Sequence, residues 1–509
     1  VEHVLRQAGN TARFVAVALL GVGFALGLYE AWELDTRWFA VVMVGIAGVG
    51  IAMCLARVFS DFLLVAAMFC LPLASFSKWI WPSTYGEEER GNFVYSGLLG
   101  IGPIDFILIG LYASWFYRLF MSREQKLPTL NRLDVFVFWL VAAHFLSTVG
   151  SPDFELGFGA SEFLLKHALF YFYLSRNLKE RHLPWMMLAF AAAILVEAGL
   201  GSYQFATGKL LGIALDKGAG SDALDYQYEV PGIEGYYRAT GTSYDSHSLG
   251  HFVALLLPFP LVLCFTPRLK VSLKAGMLVM VGAALAVIVL SLSRAAWVSA
   301  AVALLIGVVL IIVVWHERAV VPAVAVAVIL AAVVTPFTAH FIYDRFADSP
   351  YETLTTRFDQ YIVGWRVFTY YPIFGFGPGN WTQALKRYDF LWLPILPIHN
   401  VVLWTATEVG LFGVIPYLGI LISTMVRLFG VVLRRRDIAA RLALAALLAM
   451  LTTVMNGLTD PTFREPNAFM MFWVLVGLSV ALPALPQGAG EVFMAQRPPA
   501  LRARTPVPV

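Results

Sequence analysis

Apolar runs recur from end to end of this chain, near residues 13–29, 38–57, 61–77, 102–119, 133–149, 160–176, 183–206, 247–266, 272–292, 295–315, 319–339, 400–428, 438–457 and 466–485. A helix of about 20 apolar residues crosses a hydrocarbon core of about 30 Å, so the pattern predicts about fourteen membrane spans. Ten-residue stretches of alternating apolar and polar positions are absent, which excludes a membrane barrel and leaves an all-α polytopic bundle. The deepest interruption runs from Asp344 to Glu408. Within it, Arg357–Tyr370 places Phe358, Ile362, Trp365 and Phe368 at three- and four-residue spacing, which predicts a helix lying flat at the bilayer interface. Pro372 ends that helix, and Gly375-Phe376-Gly377-Pro378-Gly379-Asn380 follows. A short helix capped by Asn380 is then expected over Trp381–Tyr388. A glycine-rich turn entering a helix can cradle an anion such as phosphate with its N–H groups; it is equally the form of a tight turn re-entering the bundle.

Composition agrees with the bilayer: 59% of the 509 residues are hydrophobic and 14% charged. The first apolar run is followed directly by further runs and reads as a retained helix, with no small-residue cleavage site after it. Cys54, Cys70 and Cys264 all lie in apolar runs, as buried small hydrophobes do. Charge sets the orientation. The connections Arg118–Arg132, Arg176–His182, Arg268–Lys274 and Arg434-Arg435-Arg436 fall on one side when spans alternate, and positively charged short loops stay in the cytoplasm. Both termini are then expected on the cytoplasmic side, the residues after 487 as a disordered basic tail, and the long loop outside. The inner loops carry no glycine-rich phosphate loop, so the energy for any reaction must come from the substrate.

Few groups can do chemistry at the outer face. Arg238 stands in a polar loop just before a span, where a solvated surface arginine is the plain alternative to a binding role. Arg294, in Ser293-Arg294-Ala295-Ala296-Trp297, is wedged between two apolar runs, where it either snorkels to headgroups or meets an anionic substrate. His399 sits at the mouth of a helix and can take a proton from a hydroxyl, or serve as a capping histidine. Glu197 and Glu408 are embedded carboxylates, open to function or to bonding with a neighbouring helix. His247 and His251 are a pair at helical spacing without an evident third metal ligand.

Taken in order, Arg238-Ala-Thr-Gly241-Thr, Ser293-Arg294-Ala-Ala-Trp297, Pro372-Ile-Phe-Gly375-Phe-Gly377-Pro-Gly379-Asn380, His399-Asn400 and Glu408-Val-Gly410-Leu-Phe-Gly413 resemble the bacterial O-antigen ligase and O-antigen polymerase superfamily. One departure is Ser246-His247, where many relatives carry Pro-Asn. The resemblance implies a GT-C-like membrane fold with a large periplasmic loop containing short interfacial helices. It divides the chain into N-terminal spans (1–235), a catalytic region (236–430, with its loop at 340–400), C-terminal spans (431–487) and the tail (488–509). It further implies an inverting, metal-independent glycosyltransferase of the inner membrane, without cofactor, nucleotide or nucleic acid. The donor would be a glycan on undecaprenyl diphosphate, and the acceptor lipid A core or a lipid-linked glycan. Arg238 and Arg294 would grip the diphosphate and His399 would act on the acceptor hydroxyl. Arg366, Gly375, Gly377, Gly379, Asn380 and Asn400 would complete the substrate-binding set, with no metal ligand. Ligation, polymerisation, transfer to a protein hydroxyl and non-enzymatic transport of a lipid-linked sugar are the competing outcomes.

Overall fold

The computed structural model describes residues 56–74, 78–82, 97–121, 128–209, 229–230, 233–243, 245–267, 269–318, 320–322, 325, 351–390, 392–393 and 397–488. In chain order its elements are α1 (Ala56–Phe69), β1 (Lys78–Pro82), β2 (Gly97–Ile101), α2 (Pro103–Phe116), α3 (Arg132–Val149), α4 (Phe154–Asn177), α5 (Leu183–Thr207), β3 (Glu229–Val230), β4 (Ile233–Tyr237), α6 (Ser246–Leu256), α7 (Pro258–Cys264), α8 (Val271–Leu290), α9 (Arg294–Trp315), α10 (Tyr351–Tyr370), α11 (Trp381–Arg387), α12 (Val401–Arg434), α13 (Ile438–Gly457) and α14 (Pro466–Ala484). The chain is a multi-pass helical membrane protein. Among the described residues, 8 helical segments are long and apolar enough to cross a bilayer, α6 and α7 together making one of them, Ser246–Cys264. The expected spans at 13–29, 38–57 and 319–339, the expected retained first helix and the expected tail lie wholly or almost wholly outside the described residues.

To the helices the structure adds two short antiparallel ribbons that the hydropathy pattern did not announce. Lys78 pairs with Ile101 and Pro82 with Gly97, while Glu229 pairs with Tyr237 and Val230 with Ile233. Both ribbons lie in polar connections, where backbone hydrogen bonds must be met without a helix.

Two compact units divide the chain. The first contains residues up to Asn177, Thr356–Ile420 and Arg464–Gly477. Its segment around α10–α12 is organised around a break in α12. Gly410 has φ +67° and interrupts the helical ladder. A break in a spanning helix leaves carbonyls and amides without partners, and hydrocarbon supplies none. Here the segment after α10 supplies them. Leu411 N–H donates to the Pro372 carbonyl (2.8 Å) and Phe412 N–H to the Ile373 carbonyl (3.0 Å). In return, Phe376 N–H donates to the Thr407 carbonyl (2.9 Å) and Gly377 N–H to the Glu408 carbonyl (2.9 Å). The two motifs Pro372–Gly377 and Glu408–Gly413 are therefore the two halves of one backbone joint.

α10 packs against this joint with the face Val363 and Val367, in a buried cluster with Phe376, Trp381, Leu385, Ile398 and Trp404. Its opposite face, Phe358, Ile362 and Trp365, stays exposed, as the apolar side of an interfacial helix would. In the second unit, made of Leu178–Thr355, Leu421–Phe463 and the residues from Leu478, α13 is buried along most of its length and packs on α9 and α7.

Close approach at the joint demands glycine at two positions. A Cβ on Gly375 (φ +72°) would lie 2.2 Å from the Glu408 carbonyl carbon, and one on Gly410 2.3 Å from the Ile373 carbonyl oxygen. Gly375→Ala and Gly410→Ala each cost about 1–3 kcal/mol of stability from the left-handed backbone alone, and each is expected to lower the apparent melting temperature of the detergent-solubilised protein. Gly276→Ala, whose methyl would meet nothing within 4 Å, should leave it in place.

Candidate active site

His399 stands at the entrance to α12, and α10 holds it from two sides. Its Nδ1 lies 2.7 Å from Gln360 Oε1, and its backbone carbonyl accepts from the Tyr361 hydroxyl at 2.8 Å. An amide oxygen only accepts, so Nδ1 carries the proton and Nε2 keeps its lone pair. Burial, aided by the charge of Arg357, holds the His399 pKa down to about 4, which keeps the imidazole neutral at pH 7. Gln360 is fully buried and was not singled out from the sequence. The available signal was its place on α10: with Val363 and Val367 it continues the inward face at positions i, i+3 and i+7, as the polar member of an apolar stripe. Arg366 sits on the exposed side of the same helix.

The glycine-rich turn is tied down throughout. Gly375 N–H donates to the Tyr371 carbonyl (3.0 Å) and Asn380 N–H to the Gly377 carbonyl (3.2 Å). Phe376 and Gly377 donate to α12 as described, and Gly379 N–H donates to Glu408 Oε1 at 3.1 Å. Protein acceptors occupy the N–H groups of Gly375, Gly377, Gly379 and Asn380, which favours the tight-turn reading of this segment over the anion cradle. Asn380 is also not the side-chain cap it was expected to be. It is fully buried, and its amide clasps the Asp153 backbone, accepting from its N–H (2.8 Å) and donating to its carbonyl (3.0 Å). Asn400 does cap a helix, accepting from Leu403 N–H at 2.9 Å, which gives it a structural task.

Glu408 connects these parts. Its backbone carbonyl accepts from Gly377 N–H and from the Ser147 hydroxyl (2.8 Å), and one carboxylate oxygen holds Gly379. The other pairs with Arg464, whose guanidinium also donates to Thr405 Oγ1 (3.2 Å) and lies 3.9 Å from the centre of the Trp404 ring. Both side chains are almost fully buried. Of the two sequence readings of Glu408, the structure takes the fastening one. Arg464 was not anticipated at all, because nothing local distinguishes it.

In the second unit, Arg238 is held against the end of α8. Its Nε and Nη2 donate to the Ser291 carbonyl at 3.4 and 3.2 Å, and Ala239 N–H donates to the Leu290 carbonyl. Two residues of α5 clamp the following turn. Gln204 Oε1 accepts from Thr240 N–H (3.0 Å) and Gly241 N–H (2.7 Å), and Glu197 accepts from Thr242 N–H (2.9 Å). Glu197 is thereby a clamp as well. Arg294 opens α9 behind Ser293, whose hydroxyl caps the helix by accepting from Ala296 N–H. The structure thus brings Arg238 beside the turn that presents Arg294. His399, Gln360 and the glycine turn belong to the other unit. His247 and His251 go separate ways, His251 to Thr462 Oγ1 at 3.0 Å and His247 toward Arg238.

The fold defines a multi-pass membrane protein, with an oriented histidine in the first unit and Arg238 held against the end of α8 in the second. Residues 279–418 match the family model described as O-Antigen ligase, a stretch that includes Arg294, the glycine turn, His399 and Glu408. The resemblance to the O-antigen ligase superfamily holds over this region, and it supports a ligase-like or polymerase-type function in general terms. No curated protein matches the chain.

Breaking a buried ion pair from one side leaves an uncompensated charge and costs about 3–5 kcal/mol. Arg464→Met should therefore lower the melting temperature strongly and make the segment 371–380 accessible to protease. The double variant Glu408→Gln/Arg464→Met should recover part of that loss, as measured by thermal melts in a double-mutant cycle.

Proposed function

We propose that this protein is an inner-membrane glycosyltransferase that moves a glycan from undecaprenyl diphosphate to an acceptor hydroxyl on the periplasmic side, with lipid A core as acceptor. The family match over residues 279–418 carries the reading, since it covers both Arg294 and His399. In the reaction, an acceptor oxygen forms a bond to the anomeric carbon as the bond from that carbon to the diphosphate breaks. His399 Nε2 takes the acceptor proton. The neutral imidazole with its proton fixed on Nδ1 by Gln360 supports that role.

The leaving group is a lipid diphosphate carrying about two negative charges, and guanidinium groups neutralise such charge by bidentate contacts. Arg238 and Arg294 take this part. Arg294 stands in the first turn of α9, where the helix N-terminal amides add to its own positive charge in attracting an anion. With the charge met by arginine, the transfer needs no metal ion. The Gly375–Asn380 turn shapes the site through its fixed backbone, and Arg366 and Asn400 complete the binding set. Inversion at the anomeric carbon follows from a single displacement. The Lys/Arg bias of the connecting loops supports an orientation with both termini in the cytoplasm and the loop carrying His399 outside.

Assays with a defined undecaprenyl-diphosphate-linked glycan and separate acceptors test the reading. Product on lipid A core is expected, and activity should persist in excess chelator. A ladder of longer lipid-linked chains would make the protein a polymerase, glycosylated protein a protein glycosyltransferase, and absence of covalent product would overturn the enzyme. His399→Ala should lower kcat by about 10²–10⁴-fold, the usual worth of a general base, and Arg294→Ala should abolish transfer with folding intact.

The acid limb of kcat/KM should follow the lowered pKa of His399. Because the neutral form is the base, activity is retained as pH falls through 6.5 and lost near pH 4. Gln360→Glu places a carboxylate on Nδ1 and should move that limb upward; an unmoved limb would remove His399 as the titrating base.

A further inference from the structure

His247 is left without a task by the reaction as described, yet both of its ring nitrogens face polar partners. Its Nε2 lies 3.4 Å from Arg238 Nη2. A guanidinium nitrogen only donates, so Nε2 is the acceptor and the ring proton sits on Nδ1. That proton faces Ser293 Oγ at 3.3 Å and the carboxylate of Asp460 at 3.6 Å, the Asp460 side chain being almost fully buried. The backbone of His247 is itself fixed, because Asp245 caps α6 by accepting from His247 N–H at 2.6 Å and from Ser248 N–H at 2.9 Å. A chain of contacts therefore runs from buried Asp460 through an oriented imidazole to Arg238. It also reaches Ser293, the residue that caps the helix opened by Arg294.

The geometry points to His247 as the positioning residue for Arg238: with the Ser291 carbonyl it holds the guanidinium in one plane, ready for a lipid-linked diphosphate. The proposal rests on the reading that Arg238 binds the donor diphosphate. Bidentate recognition of phosphate oxygens depends on the orientation of the guanidinium plane, and His247 Nε2 and the Ser291 carbonyl both meet Nη2 of that plane. The Asp460 carboxylate 3.6 Å from Nδ1 favours, through its charge, the tautomer that lets Nε2 accept. His247 acts through Arg238, so its loss falls on donor binding and leaves proton transfer at His399 unchanged.

The test uses the full-length protein in nanodiscs. Undecaprenyl diphosphate without glycan is titrated against wild type, His247→Ala, His247→Gln and Arg238→Ala, and steady-state transfer is measured in parallel. His247→Ala should weaken diphosphate binding and raise the donor KM by about tenfold, with kcat essentially unchanged. In His247→Gln the amide oxygen takes the place of Nε2 as acceptor, and most of the affinity should return. The proposal is overturned if His247→Ala binds the diphosphate as wild type does, if His247→Gln binds as weakly as His247→Ala, or if kcat falls while KM stays. Unaltered binding in Arg238→Ala removes the donor role of Arg238 itself, a different failure from normal binding confined to His247→Ala. A His247→Ala variant that does not fold leaves the decision to His247→Gln, whose diphosphate affinity close to wild type supports the proposal and whose tenfold loss contradicts it.

Discussion

A helix that breaks inside a membrane must find partners for the backbone groups it releases, and most of the first unit follows from how this chain meets that demand. Gly410 opens α12, and the Pro372–Gly377 segment closes the opening with four hydrogen bonds, two in each direction. Lipid offers no alternative partner, so the joint forms with this backbone or leaves polar groups stranded at several kcal/mol each. The joint fixes where the loop re-enters, and therefore where α11 begins and how α10 lies across it. His399 inherits its position from that arrangement, since it is held by Gln360 and Tyr361 of α10 at the mouth of the helix that carries the break.

Buried polar side chains do the fastening elsewhere. Glu408 and Arg464 lock the joint from behind, and Glu197 with Gln204 clamp the turn that follows Arg238. Each such group would be costly to leave unpaired in a low-dielectric interior, which makes the arrangement nearly all-or-none. That suits a site in which charge must be met at fixed places. Within each unit, a group held in this way, such as the His399 imidazole against Gln360 or the Arg238 guanidinium against Ser291, needs little reorganisation when a charged ligand arrives.

How much of this could be read from the residues depended on the range of the interaction. The membrane class and the exposed face of α10 lie in local patterns, the proposed roles of Arg238, Arg294 and His399 come from ordered motifs, and the match at 279–418 agrees with the motif reading over its own length. The glycine-rich turn was legible as a turn, but its amides were open to assignment to an anion because their acceptors lie about thirty residues away on α12. Gln360, Arg464 and the clamping role of Glu197 were hidden for the same reason. Each looks like an ordinary polar residue until a partner 39, 56 or 45 positions distant comes into contact. The two ribbons escaped hydropathy altogether, since strands of two to five residues in polar connections leave no periodic signal.

The proposed single displacement by an acceptor hydroxyl, with His399 as base and arginine-bound diphosphate as leaving group, has one direct chemical signature. A donor of known anomeric configuration, incubated with the reconstituted protein and lipid A core, yields a new linkage whose configuration is readable by the one-bond C–H coupling in NMR. The expected product carries the inverted configuration. Retention would contradict the mechanism, because it requires a covalent or double-displacement route for which this site offers His399 no part as a simple base.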